Sequence, residues 1–114
     1  MHREMLNQDT LERTRDSTAV VTNPTHYAVA LRYVPKVTKL PIVVAKGTDL
    51  LARQMITVAS AEQVPIVQNV MLARDLYHDA PLDDYIPKHL HQPVAEVLRW
   101  VQAQTREDRA RPGT

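Results

Sequence analysis

Residues 17–33 read STAVVTNPTHYAVALRY. Ala19-Val20-Val21-Thr22 is apolar on both faces, the composition of a central strand, so 18–22 is predicted to be one. From Tyr27 the chain alternates. Tyr27, Val29, Leu31 and Tyr33 point one way, and Ala28, Ala30, Arg32 and Val34 point the other, which predicts a second strand over 27–34. The small Ala pair leaves room for a helix to pack closely. Between the two runs stands Asn23-Pro24-Thr25-His26, and Asn-Pro is a turn signal. A hairpin turn there makes the second strand antiparallel to the first.

The rest of the chain completes the sheet. VPKVTKLP (34–41) is a loop bounded by Pro35 and Pro41, and PIVVAKG (41–47) reads as a third, fully buried strand closed by Gly47. Thr48 and Asp49 are candidate caps for a helix in which Leu51, Met55, Val58 and Ala59 face the core. VPIVQN (64–69) is a fourth short strand. MLARDLYHD (71–79) is a short helix burying Leu72, Leu76 and Tyr77. APLDDYIP (80–87) is loop, and a last helix over roughly 88–105 carries the stripe Val94, Val97, Leu98 and Val101, with Pro93 tolerated near its first turn. The unit 41–69 is strand-helix-strand, for which a right-handed crossover between parallel strands is the rule. The prediction is an α/β fold of one domain, a mixed four-stranded sheet covered by about four helices.

Length and composition fit this. A chain of 114 residues suits one domain, and 44% apolar with 24% charged residues is ordinary for a globular one. With no Phe and one Trp, the core is built from Val, Leu, Ile and Ala. A net charge of +1 lacks the concentrated basic face of a nucleic-acid binder. There is no cysteine, hence no disulfide and no thiol chemistry. No apolar run approaches the length of a membrane span. Residues 1–16 are polar, with only Met1, Met5, Leu6 and Leu11 apolar, and read as a weakly held helix or linker. Residues 106–114 read as a flexible, solvated tail.

Asn23 also has a reaction available to it. Deamidation needs the next backbone nitrogen as nucleophile, and Pro24 has no N–H to supply it. The remaining route is attack by the Asn23 side-chain nitrogen on its own backbone carbonyl carbon, which closes a succinimide and expels the Pro24 nitrogen. Pro24 also biases Asn23 away from the helical region. A tight turn can hold the amide over the carbonyl, and turn N–H groups can stabilise the tetrahedral oxygen. His26 is a candidate proton shuttle, while Thr25 can fix the turn. An ordinary hairpin turn with a solvent-facing His26 explains the same four residues without chemistry.

Asn23-Pro24-Thr25-His26 resembles the self-cleavage motif of the export-apparatus switch proteins of type III secretion systems, flagellar and virulence-associated. VVTNPTHYAVALRY (20–33), KLPIVVAKG (39–47), VPIVQNVMLARDLY (64–77) and YIPKHLHQPVAEVLRWV (85–101) are similar to family segments in the same order. The resemblance implies self-cleavage between Asn23 and Pro24, with Asn23 cyclising, Pro24 leaving, and Thr25 and His26 assisting. It implies too that the two pieces stay together and that the cut lets the secretion machine switch from early to late substrates. It is a single-turnover event without a cofactor. The resemblance further implies a membrane domain upstream of linker residues 1–16, a self-cleaving unit over 17–105, and a full-length protein in the bacterial inner membrane with this part on its cytoplasmic face. The implied partners are other export-apparatus proteins, the needle- or hook-length ruler protein, and secreted substrates or their chaperones. No nucleic acid is among them.

Two rival readings stand beside it. In one the domain docks partners and is never cut. In the other a small-molecule enzyme site lies at the C-terminal ends of the parallel strands, near Gly47 and Asn69. AKGTD (45–49) lacks the glycine pattern of phosphate loops. His78, His89 and His91 lack paired metal-ligand spacing, so no metal site is expected.

Overall fold

The computed structural model describes residues 3–110, with side chains described from residue 7 to residue 108. The chain forms α1 (Arg3–Arg15), β1 (Ala19–Asn23), β2 (Tyr27–Arg32), β3 (Ile42–Thr48), α2 (Asp49–Ala61), β4 (Ile66–Gln68), α3 (Val70–Asp79), a 3-10 turn at Lys88–Leu90, and α4 (His91–Ala110). The sheet order is β3-β2-β1-β4. β1 and β2 are antiparallel, β2 and β3 are antiparallel, and β1 and β4 are parallel. The mixed four-stranded sheet and its helices are those the periodicity predicts.

β1 and β2 are the inner strands, which is why both of their faces are buried. On one face Ala19, Val21, Val29, Leu31 and Val43 pack under Leu72, Ala73 and Leu76 of α3 and Val94, Val97, Leu98 and Val101 of α4. On the other face Val20, Ala28, Ala30 and Ala45 meet Ala52, Met55 and Ala59 of α2. The alanines face α2, and Met55, a long side chain, fills the space they leave. Burying such a side chain contributes about 1.5–3 kcal/mol.

Five expectations need correction. β3 is not fully buried: its residues alternate between buried and half-buried, because it is an edge strand. A register shift between Ala30 and Leu31 turns Val43 to the α3 face and leaves Ala45 on the α2 face. The second correction is at the start of α2. Thr48 stands at the N-cap position without a side-chain capping bond, and Asp49 has φ 51°; the Asp49 N–H instead donates to the carbonyl of His26, 3.1 Å away. Third, on α2 itself the fully buried residues are Ala52, Met55 and Ala59, while Val58 is only half-buried. Fourth, α1 is not weakly held at its C-terminal end. Thr14 is fully buried, Leu11 packs against the α2-side core, and Arg13 pairs with Asp9 and Asp83. Fifth, the last helix continues past 105 to Ala110, and 111–114 of the expected tail lie outside the described residues. Among the described residues, no helix is long and apolar enough to cross a membrane.

Candidate functional site

β1, β3 and β4 run in one direction, so Asn23, Thr48 and Gln68 end at the same edge of the sheet. α2 and α3 start there too. The Asn23–His26 hairpin turn is tied into this edge by backbone bonds. The Thr22 carbonyl accepts from the Asn69 N–H at 2.9 Å, and the His26 carbonyl accepts from Asp49. The structure thus brings the four predicted residues into one turn, flanked by the starts of two helices.

Within the turn, the Asn23 carbonyl oxygen accepts a hydrogen bond from the His26 N–H at 2.9 Å. Pro24 occupies the second position, and Thr25, the third, has φ 68°. Proline followed by a positive φ is the signature of a type II turn, which normally recruits Gly at that third position. Thr25 is β-branched, so the turn holds it in a costly conformation. Asn23 is half-buried, while Pro24, Thr25 and His26 are exposed. Among the described residues, the side chains of Asn23 and His26 have no hydrogen-bond partner. The peptide bond between Asn23 and Pro24 is trans, as no bond among the described residues is cis.

The electrophile this turn presents is the Asn23 carbonyl carbon. Its oxygen already meets a donor at the distance that stabilises a developing oxyanion. That donor is the His26 backbone and not its ring. The sequence reading expects a turn N–H for this duty, and the N–H that lies at the Asn23 oxygen is that of His26.

Sequence reasoning missed the support behind the turn. Tyr27, the next residue, packs on Tyr77 with ring centroids 5.1 Å apart and edge-on to His78 at 5.6 Å. Its hydroxyl lies 3.2 Å from His78 Nε2. Lys46 Nζ donates to the carbonyls of Tyr77 and Ala80 at the end of α3, 5.4 Å from the Tyr77 ring centroid. Partial burial lowers the Lys46 pKa from 10.5 by desolvation. The visible signals are a lysine inside an apolar strand and the adjacent pair Tyr77-His78.

The other singled-out residues have structural duties. A Cβ on Gly47 would come within 2.7 Å of Leu51, so that glycine serves close strand-helix packing. The Asn69 side chain accepts from the Leu72 N–H at 3.1 Å and caps α3. His89 contacts Asp79, and His91 contacts the carbonyl of Ile86.

Residues 1–101 match the model of the FlhB HrpN YscU SpaS family. The chain is 42% identical over 106 residues to the Yop proteins translocation protein U of Yersinia pestis, covering 93% of this chain and 30% of that protein. It is 51% identical over 83 residues to the hypersensitivity response secretion protein HrcU of Ralstonia nicotianae, covering 73% of this chain and 23% of the relative. It is 40% identical over 101 residues to the flagellar biosynthetic protein FlhB of Salmonella typhimurium, covering 89% and 26%. The chain thus spans less than a third of these curated relatives. The fold matches the cytoplasmic domain of FlhB from Shewanella putrefaciens with a TM-score of 0.82 at 34% identity, covering 95% of this chain and 84% of that one. It also matches a mutated EscU C-terminal domain with a TM-score of 0.79 at 33% identity, covering 89% and 93%.

Proposed function

The chain belongs to the FlhB HrpN YscU SpaS family, whose relatives are named as secretion-apparatus and flagellar-biosynthesis proteins, and from that premise we propose that it is a self-cleaving substrate-specificity switch of a type III export apparatus. The cut falls between Asn23 and Pro24. The observation that carries this reading is the turn itself, in which the Asn23 carbonyl faces the His26 N–H at 2.9 Å with Pro24 as the only following nitrogen.

The Asn23 side-chain nitrogen bonds to the Asn23 carbonyl carbon and loses one proton. The carbonyl oxygen takes the negative charge against the His26 N–H. As the C=O re-forms, the bond to Pro24 breaks and its electron pair goes to the proline nitrogen, which takes up one proton. The products are a succinimide at residue 23 and a free secondary amine at residue 24. Water then opens the ring to a terminal carboxylate. The exposed His26 imidazole relays the proton between the two nitrogens. Each chain does this once, with no turnover and no cofactor.

In the cell, residues 1–16 lead from a membrane domain in the inner membrane, and 17–105 form the self-cleaving unit on its cytoplasmic face. The partners are other export-apparatus proteins, the ruler protein, and substrates or their chaperones. They read the cut locally, as two freed ends at an exposed turn.

Intact mass of the purified, denatured chain tests this. The expected result is two species, residues 1–23 and 24–114, while Asn23→Ala stays whole and Pro24→Ala stays whole or is cut far more slowly. A single uncut wild-type species after long incubation at neutral pH overturns the reading and leaves the docking alternative. The enzyme alternative is disfavoured by Gly47, whose open side is filled by Leu51 and Met55.

A further inference from the structure

We propose that Tyr27 is the positioning residue that aims the Asn23 side chain at its own carbonyl, an inference that rests on the self-cleavage reading above. The strand register pairs Tyr27 directly with Asn23. Directly opposed residues of an antiparallel pair project to the same face, with Cβ atoms about 4.5–5.5 Å apart. Which face is fixed two residues back along each strand. Val21 and Val29, also a direct pair, both lie in the core under α3. Alternation therefore sends Asn23 and Tyr27 to that same side.

Tyr27 is held there. Its ring touches Tyr77 and His78, and its hydroxyl reaches His78 Nε2 at 3.2 Å. Tyr77 and His78 contact each other edge-on at 5.4 Å, and Lys46 fastens the Tyr77 carbonyl to β3. The result is a fixed, flat wall beside a side chain that has no hydrogen-bond partner of its own. The wall removes the Asn23 rotamers that swing the amide toward α3. What remains is the rotamer folded back over the backbone, where the nitrogen approaches the carbonyl carbon. Free choice among three χ1 wells and a broad two-fold χ2 makes roughly one orientation in six productive. The wall's effect on the rate is therefore at most about sixfold. His26 does not take this role, because its exposed ring has no hydrogen-bond, ion-pair or ring partner among the described residues.

Two measurements test the proposal. The first is the cleavage rate of newly synthesised chain, followed by pulse labelling in a cell-free translation system and denaturing electrophoresis. Tyr27→Ala is expected to be cut about fivefold more slowly. Tyr27→Phe keeps the wall and is expected within about twofold of wild type. The second measurement uses the Pro24→Ala chain, and the Asn23 side-chain amide protons are observed by NMR. They should show ring-current shifts and cross-relaxation with the Tyr27 ring, both lost when Tyr27→Ala is added. A merely structural role would lower the melting temperature and leave the cleavage rate of the folded Tyr27→Ala chain at the wild-type value. If Tyr27→Ala folds poorly, Tyr27→Leu and the amide spectrum decide. Tyr27→Ala cut at the wild-type rate, or no cross-relaxation in the Pro24→Ala chain, overturns the inference while leaving self-cleavage standing. A wild-type chain that is never cut overturns both.

Discussion

Thr25 is the residue at which the turn departs furthest from ordinary backbone. A φ of 68° on a β-branched residue costs on the order of 1–3 kcal/mol. Glycine would hold this position at no steric cost, yet the chain has only two glycines, Gly47 and Gly113. The strain lies one residue beyond the proposed cut and is released when Pro24 becomes a free end. It therefore raises the uncut state and not the cut one. Thr25→Gly should relieve it in advance. In an Asn23→Ala background, which keeps the chain whole, Tm should rise by roughly 4 °C for each kcal/mol removed. In the otherwise wild-type chain, cleavage should slow by about tenfold if some 1.4 kcal/mol of strain is relieved on reaching the transition state. Pulse labelling and thermal melts check the two halves. Cleavage at an unchanged rate would show that the strain is not used.

At the scale of elements, α3 is the part that connects the turn to the rest of the domain. Its first turn is capped by Asn69, whose own N–H grips Thr22. Its last turn is gripped by Lys46, which donates to two carbonyls left free by the helix end. Lys46→Met keeps the length of the side chain and removes both bonds, at a cost of about 1–3 kcal/mol for the carbonyls left unpaired. A lower Tm with a retained far-UV spectrum is the expected outcome. The pH dependence has a definite sign. Burial lowers the folded-state pKa of Lys46 below 10.5, so just below 10.5 the unfolded chain binds more protons than the folded one. The wild type's stability relative to Lys46→Met should therefore increase as pH rises through that window. Equal pH slopes for the two chains would refute the assignment.

The same elements show what periodicity can and cannot reveal. β1 and β2 are inner strands, and their two-sided apolar pattern, together with the Ala pair facing α2, made them legible. β3 looked equally apolar, but strand order is set by topology and not by composition, so its edge position and the role of Lys46 stayed hidden. Asp49 looked like a cap because Asp is common at caps. Its positive φ arises from a tertiary bond to His26, which no local pattern encodes. The long-range pairing of Arg13 with Asp83, 70 residues away, is illegible for the same reason. The reaction proposed at Asn23 came from residue chemistry together with the family resemblance, whereas Tyr27 emerged only once the register paired it with Asn23.

For the molecule as a whole, a cut at residue 23 divides the domain unequally but severs little of what holds it. The piece 1–23 carries α1 and β1. β1 lies between β2 and β4 and keeps both ladders. Ala19 and Val21 remain in one core and Val20 in the other, so the strand is buried on two faces and paired at two edges. α1 adds Leu11, the buried Thr14, and ion pairs from Arg13 to Asp83 and from Arg15 to Glu62, each exposed pair contributing about 0–1 kcal/mol. Withdrawing β1 would expose the inner flanks of both cores and leave β4, a strand of three residues, with no partner. Release of the short piece and loss of the fold should therefore be one event. In a urea titration of the cut protein, the release of residues 1–23, followed by analytical gel filtration, should track the far-UV signal with one midpoint. Dilution at constant urea should lower that midpoint, since separated pieces recombine bimolecularly. Release of residues 1–23 at a urea concentration where the far-UV signal is still native would show that β1 is held more loosely than its burial requires.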